Sequence, residues 1–447
     1  MYKRIKYVIF LTIVLSGILP TKPAFAEYKI DYNATVAFEH LSFLLNRPDY
    51  TINEQETLNL DFGFVYDNYK NFYINLHPRL RIDFRDYSRN RYLPNEAYLK
   101  FYNDYLEVNG GFQLRTWGVS NSFNPSDVLN RKDLEDNYYV PDKLGDVMVG
   151  FKAVIPNLGF MSDLTFEIIG FPYFQPTPLP ENDTRFALQG NVGGVSFTRS
   201  DEQEYPELKN SFGGAASISA TIKSSDISLH YYHGLEREAG FYLALDESAN
   251  LRLTPFYYTI DMVGMNTETS IGKFIFHTES AFKITRANEP RFHELPLLSS
   301  SDVIPNDYFQ FVVGLDFILN NVFGGDLTLT LEYLGEDDHE IILEEFRPFK
   351  NDVFFGLQYQ LNNTRLTQFQ VGVIKDLDSQ EMITQFAAST KIVKELKLSI
   401  EGVIVNQSDN ADLALSFIEN NTYVLGSLSY TFGGSHKNSR KKSNKSK

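Results

Sequence analysis

The 447-residue chain has no cysteine, one tryptophan and six methionines. Without cysteine, disulfide scaffolds, thiolate metal sites and thiol nucleophiles are excluded. Mean hydropathy is −0.26, and no apolar run approaches the ~20 residues a helix needs to cross a bilayer, which excludes a helical membrane bundle. Cations are outnumbered, 41 Lys and Arg against 57 Asp and Glu for a formal charge of −16, so nucleic acid is not an expected partner. There is no Gly-x-Ser-x-Gly elbow, His-Glu-x-x-His pair or glycine-rich phosphate loop. His230 and His233 lie three apart, on opposite faces of a strand, which argues against a shared metal. No enzyme activity, cofactor or metal is expected.

What the chain does have is aromatic mass. With 27 Tyr and 37 Phe, and 43% hydrophobic residues, it is too rich in core formers to be disordered. Its first 26 residues place Lys3, Arg4 and Lys6 before an apolar stretch from Tyr7 to Leu19, and close on Ala24-Phe25-Ala26. That pattern predicts a Sec signal peptide cleaved before Glu27, because the apolar stretch is too short for a retained membrane anchor. No cysteine follows the cleavage site, so no lipoprotein is expected. Removing the signal deletes four cations and no acid, taking the formal charge from −16 to −20. Six cations (Lys437, Arg440, Lys441, Lys442, Lys445 and Lys447) crowd the other terminus. Residues 433–447 are therefore expected to be a basic, disordered tail.

Between these ends apolar and polar residues alternate with period two, the signature of a strand with two different faces. Leu327-Thr328-Leu329-Thr330-Leu331-Glu332-Tyr333 is one example. Eighteen such runs can be drawn from 28–43 to 421–432, among them 71–84, 96–103, 105–115, 251–270 and 273–286. Their connections alternate between short turns, such as 67–70 and 223–226, and mostly longer loops. The longest loops are 116–144, 171–210, 235–250 and 287–306. An even number of long strands with segregated turns and loops is the plan of a transmembrane antiparallel β-barrel in an outer membrane. Such a barrel spans residues 27–432 and has about eighteen strands (16–18), short periplasmic turns and long extracellular loops. A soluble sandwich or propeller would have shorter strands and would not sort its connections by length. A closed barrel also satisfies every backbone polar group in lipid, which an open sheet cannot do. Loops 171–210 and 235–250 are expected to be open to protease on intact cells. The last run resembles the C-terminal assembly signal of outer-membrane barrels, an apolar alternation ending here at Phe432, so the barrel-assembly machinery is an expected partner. Outer-membrane lipid and lipopolysaccharide are the others.

If the more apolar set of each run faces lipid, the other set faces inward. The inward residues near the start are basic: Arg79, Arg81, Arg85, Lys100 and Arg115. Farther round the wall they turn acidic: Glu167, Asp261, Glu279, Asp316 and Glu332. Such arcs either order solutes in an open lumen or simply pair across strands to keep a polar interior solvated.

The segment 116–144 is the most distinctive loop and carries the lone tryptophan. Gly111-Phe112-Gln113-Leu114-Arg115-Thr116-Trp117-Gly118 runs into Asn124-Pro125-Ser126-Asp127, then Asn130 and Asp133. Asn, Asp and Pro at these spacings favour an ordered turn. This stretch, with Gly145-Asp146-Val147-Met148-Val149, Glu279 and Gly314-Leu315-Asp316, resembles a poorly characterised family of Gram-negative outer-membrane porin-like proteins. The resemblance implies an outer-membrane β-barrel with a channel or export role and brings no catalytic residues. We expect residues 118–142 to fold into the lumen as a constriction, with Asp127, Asp133 and Asp136 facing Arg79, Arg81 and Arg115; the alternative is a flap lying outside. The functional expectation is a passive or weakly selective channel for small polar or ionic solutes. The alternative is the outer-membrane component of an export or envelope-assembly system, docked through the basic tail.

Overall fold

The structure, a computed structural model, describes residues 27–45, 53–137, 141–182, 184–187, 190–192, 195–200, 203, 211–246, 248–286, 295–296, 307–337, 350–378, 381–406 and 421–438. The predicted signal peptide and most of the acidic loop after Asp337 lie outside them.

Eighteen strands form one closed antiparallel barrel. They are β1 (Tyr28–Phe43), β2 (Glu54–Asp67), β3 (Phe72–Asp83), β4 (Arg91–Tyr102), β5 (Leu106–Gln113) and β6 (Asp146–Leu158). Next come β7 (Met161–Phe171), β8 (Gly213–Ile222), β9 (Ser225–Leu235), β10 (Thr259–Ile271), β11 (Phe274–Arg286) and β12 (Tyr308–Val322). The last six are β13 (Gly325–Glu336), β14 (Asn351–Leu361), β15 (Gln368–Asp376), β16 (Met382–Lys391), β17 (Leu396–Asn406) and β18 (Tyr423–Asn438). Each strand pairs with its neighbours in sequence. The seam closes where β1 pairs with β18, from Tyr28 opposite Asn438 to Phe43 opposite Tyr423. Outward positions are apolar around the whole wall, with Val36, Phe101, Val263, Phe309, Phe355, Phe369, Ile400 and Tyr430 all exposed. Aromatics also stand exposed at the short turns, at Tyr69, Tyr105, Phe160 and Phe323, where an interfacial girdle belongs.

The structure departs from the sequence reading at four places. Strand β4 begins at Arg91 rather than 96, because His77 on β3 faces both Asn95 and Glu96 across a bulge. One extra residue inverts the alternation, so Arg91 and Glu96 share the inward face although five positions separate them. The run 251–270 is two elements. Leu251–Phe256 leaves the wall and pairs with Gly240–Leu245, while the wall resumes at Thr259. At the C-terminus, Gly433 to Asn438 are not tail but strand, laddered to residues 28–33. Residues 439–447 lie outside the described residues.

The fourth departure concerns the long loops, which are not free at the surface. Gly190–Val192, Val195–Arg199, Gly240–Leu245, Leu251–Phe256 and Leu295–Pro296 form a separate five-stranded sheet. Its Phe197, Phe241 and Leu253, together with Leu179 and Phe186 of the segment before it, pack on the inward Leu41, Ile383, Val403 and Tyr423 of the wall. Each such side chain removed from water contributes roughly 1.5–3 kcal/mol. The buried Arg185 reaches across to the β1–β2 and β17–β18 connections, donating to Leu45 O at 2.8 Å, Asn53 Oδ1 at 3.0 Å and Asn421 Oδ1 at 3.3 Å. Loops from one side of the barrel thus cap the mouth as far as the opposite wall.

Candidate functional site

The connection between β5 and β6 turns into the barrel, and its base is stapled. Asn130 Nδ2 donates to Gln113 O and to Leu144 O, both at 2.9 Å, while Asn130 Oδ1 accepts from Arg115 N at 2.7 Å. Lys132 and Lys143 bridge the two arms of the loop, and Lys143 also pairs with Asp127. Gly118 is needed because a Cβ there would collide with the Asn124 side chain, whose Oδ1 accepts from Ser120 N at 3.2 Å. Spacing between the Trp-Gly and Asn-Pro pairs is therefore a local fit. Asn130→Ala should remove this partner from the buried Gln113 and Leu144 carbonyls, at roughly 1–3 kcal/mol each, and from the half-buried Arg115 N–H. A lower urea midpoint for the detergent-solubilised barrel is the expected result.

Two glutamates of the wall hold the leading half of the loop. Glu279 on β11 accepts from Val119 N, Ser126 N and Ser126 Oγ, each at 2.9 Å. Glu332 on β13 accepts from Asn121 N at 2.7 Å and Ser122 N at 3.0 Å, and is held by His277 Nε2 at 2.8 Å. Both carboxylates are sealed from water. Trp117 stacks on His230 at 4.5 Å between ring centres, and its carbonyl accepts from Asn266. These wall residues act as preformed acceptors for loop backbone, the strong charge-assisted kind of bond.

The trailing half crosses to the opposite wall and meets the basic arc. Arg81 is only 2% exposed and donates to Asp133 Oδ2 at 2.8 Å and Glu135 Oε2 at 2.7 Å, with Asp136 Oδ1 at 3.1 Å. Arg89 joins Asp83 and Asp136, both at 2.5 Å, and Arg91 reaches Glu135 at 3.0 Å. Arg79 bridges Asp61 at 2.7 Å and Asp142 at 3.0 Å. Asn137 Nδ2 donates to the Tyr423 hydroxyl on β18 at 2.7 Å. Burial pushes the Glu135 carboxyl up to about 6 against the pull of Arg91 and Arg81. Burial would raise Asp136 as well, but Arg81 and Arg89 together hold it below its ordinary value.

Of the three loop acids picked from the sequence, Asp133 and Asp136 face Arg81. Asp127 instead pairs with Lys143 of its own loop. Arg115 turns to Glu167 at 3.2 Å, Lys100 to Glu107 at 3.4 Å and Arg85 to Glu56 at 2.8 Å. Asp261 does not line the interior: it shares the outward face of β10 with the exposed Val263 and Met265, where His233 at 2.9 Å, Tyr231 at 2.7 Å and Arg286 hold it. Asp316 accepts from Thr330 at 2.5 Å. Pro125 is buried and borders the remaining open space. The sequence reading missed Arg89, Arg91, Glu135 and Asp142, which sit where the bulge or the loop hides any period.

A cavity of about 660 Å³ lies beside the loop among the described residues. On one side it is bounded by Asn121 to Asn130 of the loop and by the cap segment Glu236–Phe241. On the other it is bounded by the inward face of β13 to β18, including Phe354, Gln358, Gln370, Gln385 and Glu401. Arg81, Arg89, Glu279 and Glu332 are buried under the loop, and this open space lies along a different wall.

The chain matches no protein-family model. It matches no curated protein sequence either. Among solved structures it is similar to Wzi of Escherichia coli, an outer-membrane, carbohydrate-binding β-barrel involved in group 1 capsule assembly. Identity is 9%, coverage is 90% of this chain and 84% of that one, and the TM-score is 0.50. OpdQ of Pseudomonas aeruginosa aligns at 10% identity over 91% of this chain and 99% of its own, with a TM-score of 0.48. OmpF of Salmonella typhi aligns at 12% identity over 90% and 97%, with a TM-score of 0.44. At such identities the likeness is one of fold.

Proposed function

We propose that the chain is an outer-membrane channel of porin type, narrowed by its β5–β6 loop, through which small polar solutes pass along the β13–β18 wall. The observation that carries this reading is the loop's position. It is tied to β11 and β13 by Glu279 and Glu332 and to β3 by Arg81, and leaves the cavity displaced to one side. An apolar outer face and a polar interior suit a lipid-embedded barrel with a hydrated path. Planar-bilayer recording of the purified barrel should show discrete steps of small conductance; a barrel that inserts but passes no current would refute the reading.

Because the chain has no cysteine, single-cysteine labelling can read its orientation. Ser248, at the exposed tip of the cap hairpin, and Ser224, in the turn between β8 and β9, lie at opposite ends of the barrel. Ser248→Cys should react with an impermeant maleimide on intact cells, and Ser224→Cys only after permeabilisation. The reverse pattern would invert the topology. The export reading leaned on the basic tail, of which residues 433–438 are strand. Truncation after Asn438 removes the rest and should leave channel activity unchanged; loss of an envelope partner on truncation would favour the export role.

A further inference from the structure

Nearly every inward polar group named so far has a partner, which makes the exceptions informative. Gln358, Gln370 and Gln385 border the cavity, and their side-chain amides bond to no other residue among those described. Gln358 lies directly opposite Gln370 on the neighbouring strand, and Gln385 stands opposite Gly372 one row away. The end of the Phe354 ring lies over Gly356 and Gly372, which face each other across β14 and β15. A Cβ at either glycine would come within 2.9 Å of that ring, so the glycine pair is what seats the aromatic against the wall. The result is one continuous patch of an aromatic ring flanked by three unpaired amides.

The charges around the same cavity are mostly spent. Lys132 pairs with Glu238 at 2.6 Å, Lys283 with Glu236 at 3.1 Å, and Asp127 with Lys143. Glu401 borders the cavity without a hydrogen bond or an ion pair to a described residue. Arg237 also borders the cavity, buried beside Asp146 at 3.9 Å and against the Phe171 and Phe174 rings, so a charged solute entering here would lose hydration for little counter-charge beyond Glu401. A hydroxyl both donates and accepts, as an amide does, so a polyol can satisfy all three glutamines at once. The volume lies within the ~300–1,000 Å³ of ordinary small-molecule sites.

We infer that this patch is a binding site for an uncharged saccharide, with Gln358, Gln370 and Gln385 bonding its hydroxyls and Phe354 packing against its C–H face. Glu401 accepts from hydroxyls at the edge. The inference rests on the channel reading for its biological sense, but its test does not depend on conduction. Calorimetry on the detergent-solubilised barrel, with sucrose and maltotriose as neutral probes, should show saturable millimolar binding of at least one. Succinate and dialanine should give none, and putrescine, with Glu401 as its one free counter-charge among the described residues, should bind more weakly than the sugars. Replacing the three glutamines together with alanine should weaken sugar binding at least about tenfold, as should Phe354→Ala, while Gln370→Asn, which keeps the amide, should lose less. Wild-type and variant barrels are compared only after both show native heat-modifiable mobility on gels. No binding of either sugar, equal binding by the triple variant, or stronger binding of succinate or putrescine would overturn the inference. A barrel that binds sugar yet carries no current would instead refute the channel alone.

Discussion

Arg81→Ala should release the trailing half of the β5–β6 loop and open the barrel. In the folded protein Arg81 is buried among Asp133, Glu135 and Asp136, all on the loop, with Arg89 O accepting from its Nε at 2.9 Å. Removing the guanidinium leaves three carboxylates with only Arg89 and Arg91 to balance them. Breaking a buried ion pair by deleting one partner costs about 3–5 kcal/mol, because the survivors stay buried and uncompensated. The loop can avoid that cost by swinging into water, so the variant should show larger single-channel steps and a lower urea midpoint. Loss of a cation from the interior should also move the reversal potential toward cation selectivity. A control separates electrostatics from packing. Arg81→Met combined with Asp133→Asn, Glu135→Gln and Asp136→Asn removes the whole set, and neutralising all partners together is far milder than orphaning them. That variant should keep conductance closer to wild type. If Arg81→Ala leaves both conductance and midpoint unchanged, the network does not hold the loop.

The wall was legible in the sequence and the interior was not, and the reason is which solvent each face meets. Lipid tolerates only apolar side chains outside and a closed ladder, so the outward alternation of a strand such as Leu327 to Tyr333 is enforced residue by residue. Inward positions are constrained instead by whatever fills the barrel, and those partners come from far away in sequence. Glu279 could be placed on the inner face from its strand parity, but its partners Val119 and Ser126 lie more than a hundred positions earlier. Arg91 is hidden for a different reason, since the bulge at His77 reverses parity ahead of Glu96, and Arg89 because it ends a short 3-10 turn, Tyr87–Arg89, that has no strand period. The cap was invisible because Phe197 and Leu253 belong to short strands in separate loops and Phe186 to a turn, none of which has a periodic run long enough to stand out. Asp133 and Asp136 could be anticipated opposite Arg81 because a loop leaving β5 can reach β3 without crossing the barrel. Asp127 could not, because a competing cation, Lys143, sits on the returning arm of the same loop.

Deleting residues 121–139 should raise conductance further than Arg81→Ala does and move selectivity in the opposite direction. The deletion takes away the arm that Glu332 and Arg81 anchor, together with the side chains from Asn121 to Asn130 that bound the cavity. Asp127, Asp133, Glu135 and Asp136 go with it, against only Arg131 and Lys132, so the interior gains two positive charges net. Arg79, Arg81, Arg89 and Arg91 then face a widened path with fewer counter-charges, and a cationic wall in a water-filled passage favours anions. The shift should be largest at low salt and shrink as the screening length falls from about 30 Å at 0.01 M to about 3 Å at 1 M. Arg81→Ala instead removes one cation and keeps every loop acid, so its reversal potential should move toward cations under the same gradient. Opposite signs in two variants that both conduct more than wild type would tie selectivity to the charge balance between arc and loop rather than to pore width. If both shift the same way, width alone governs passage and the buried arginines serve only to anchor the loop.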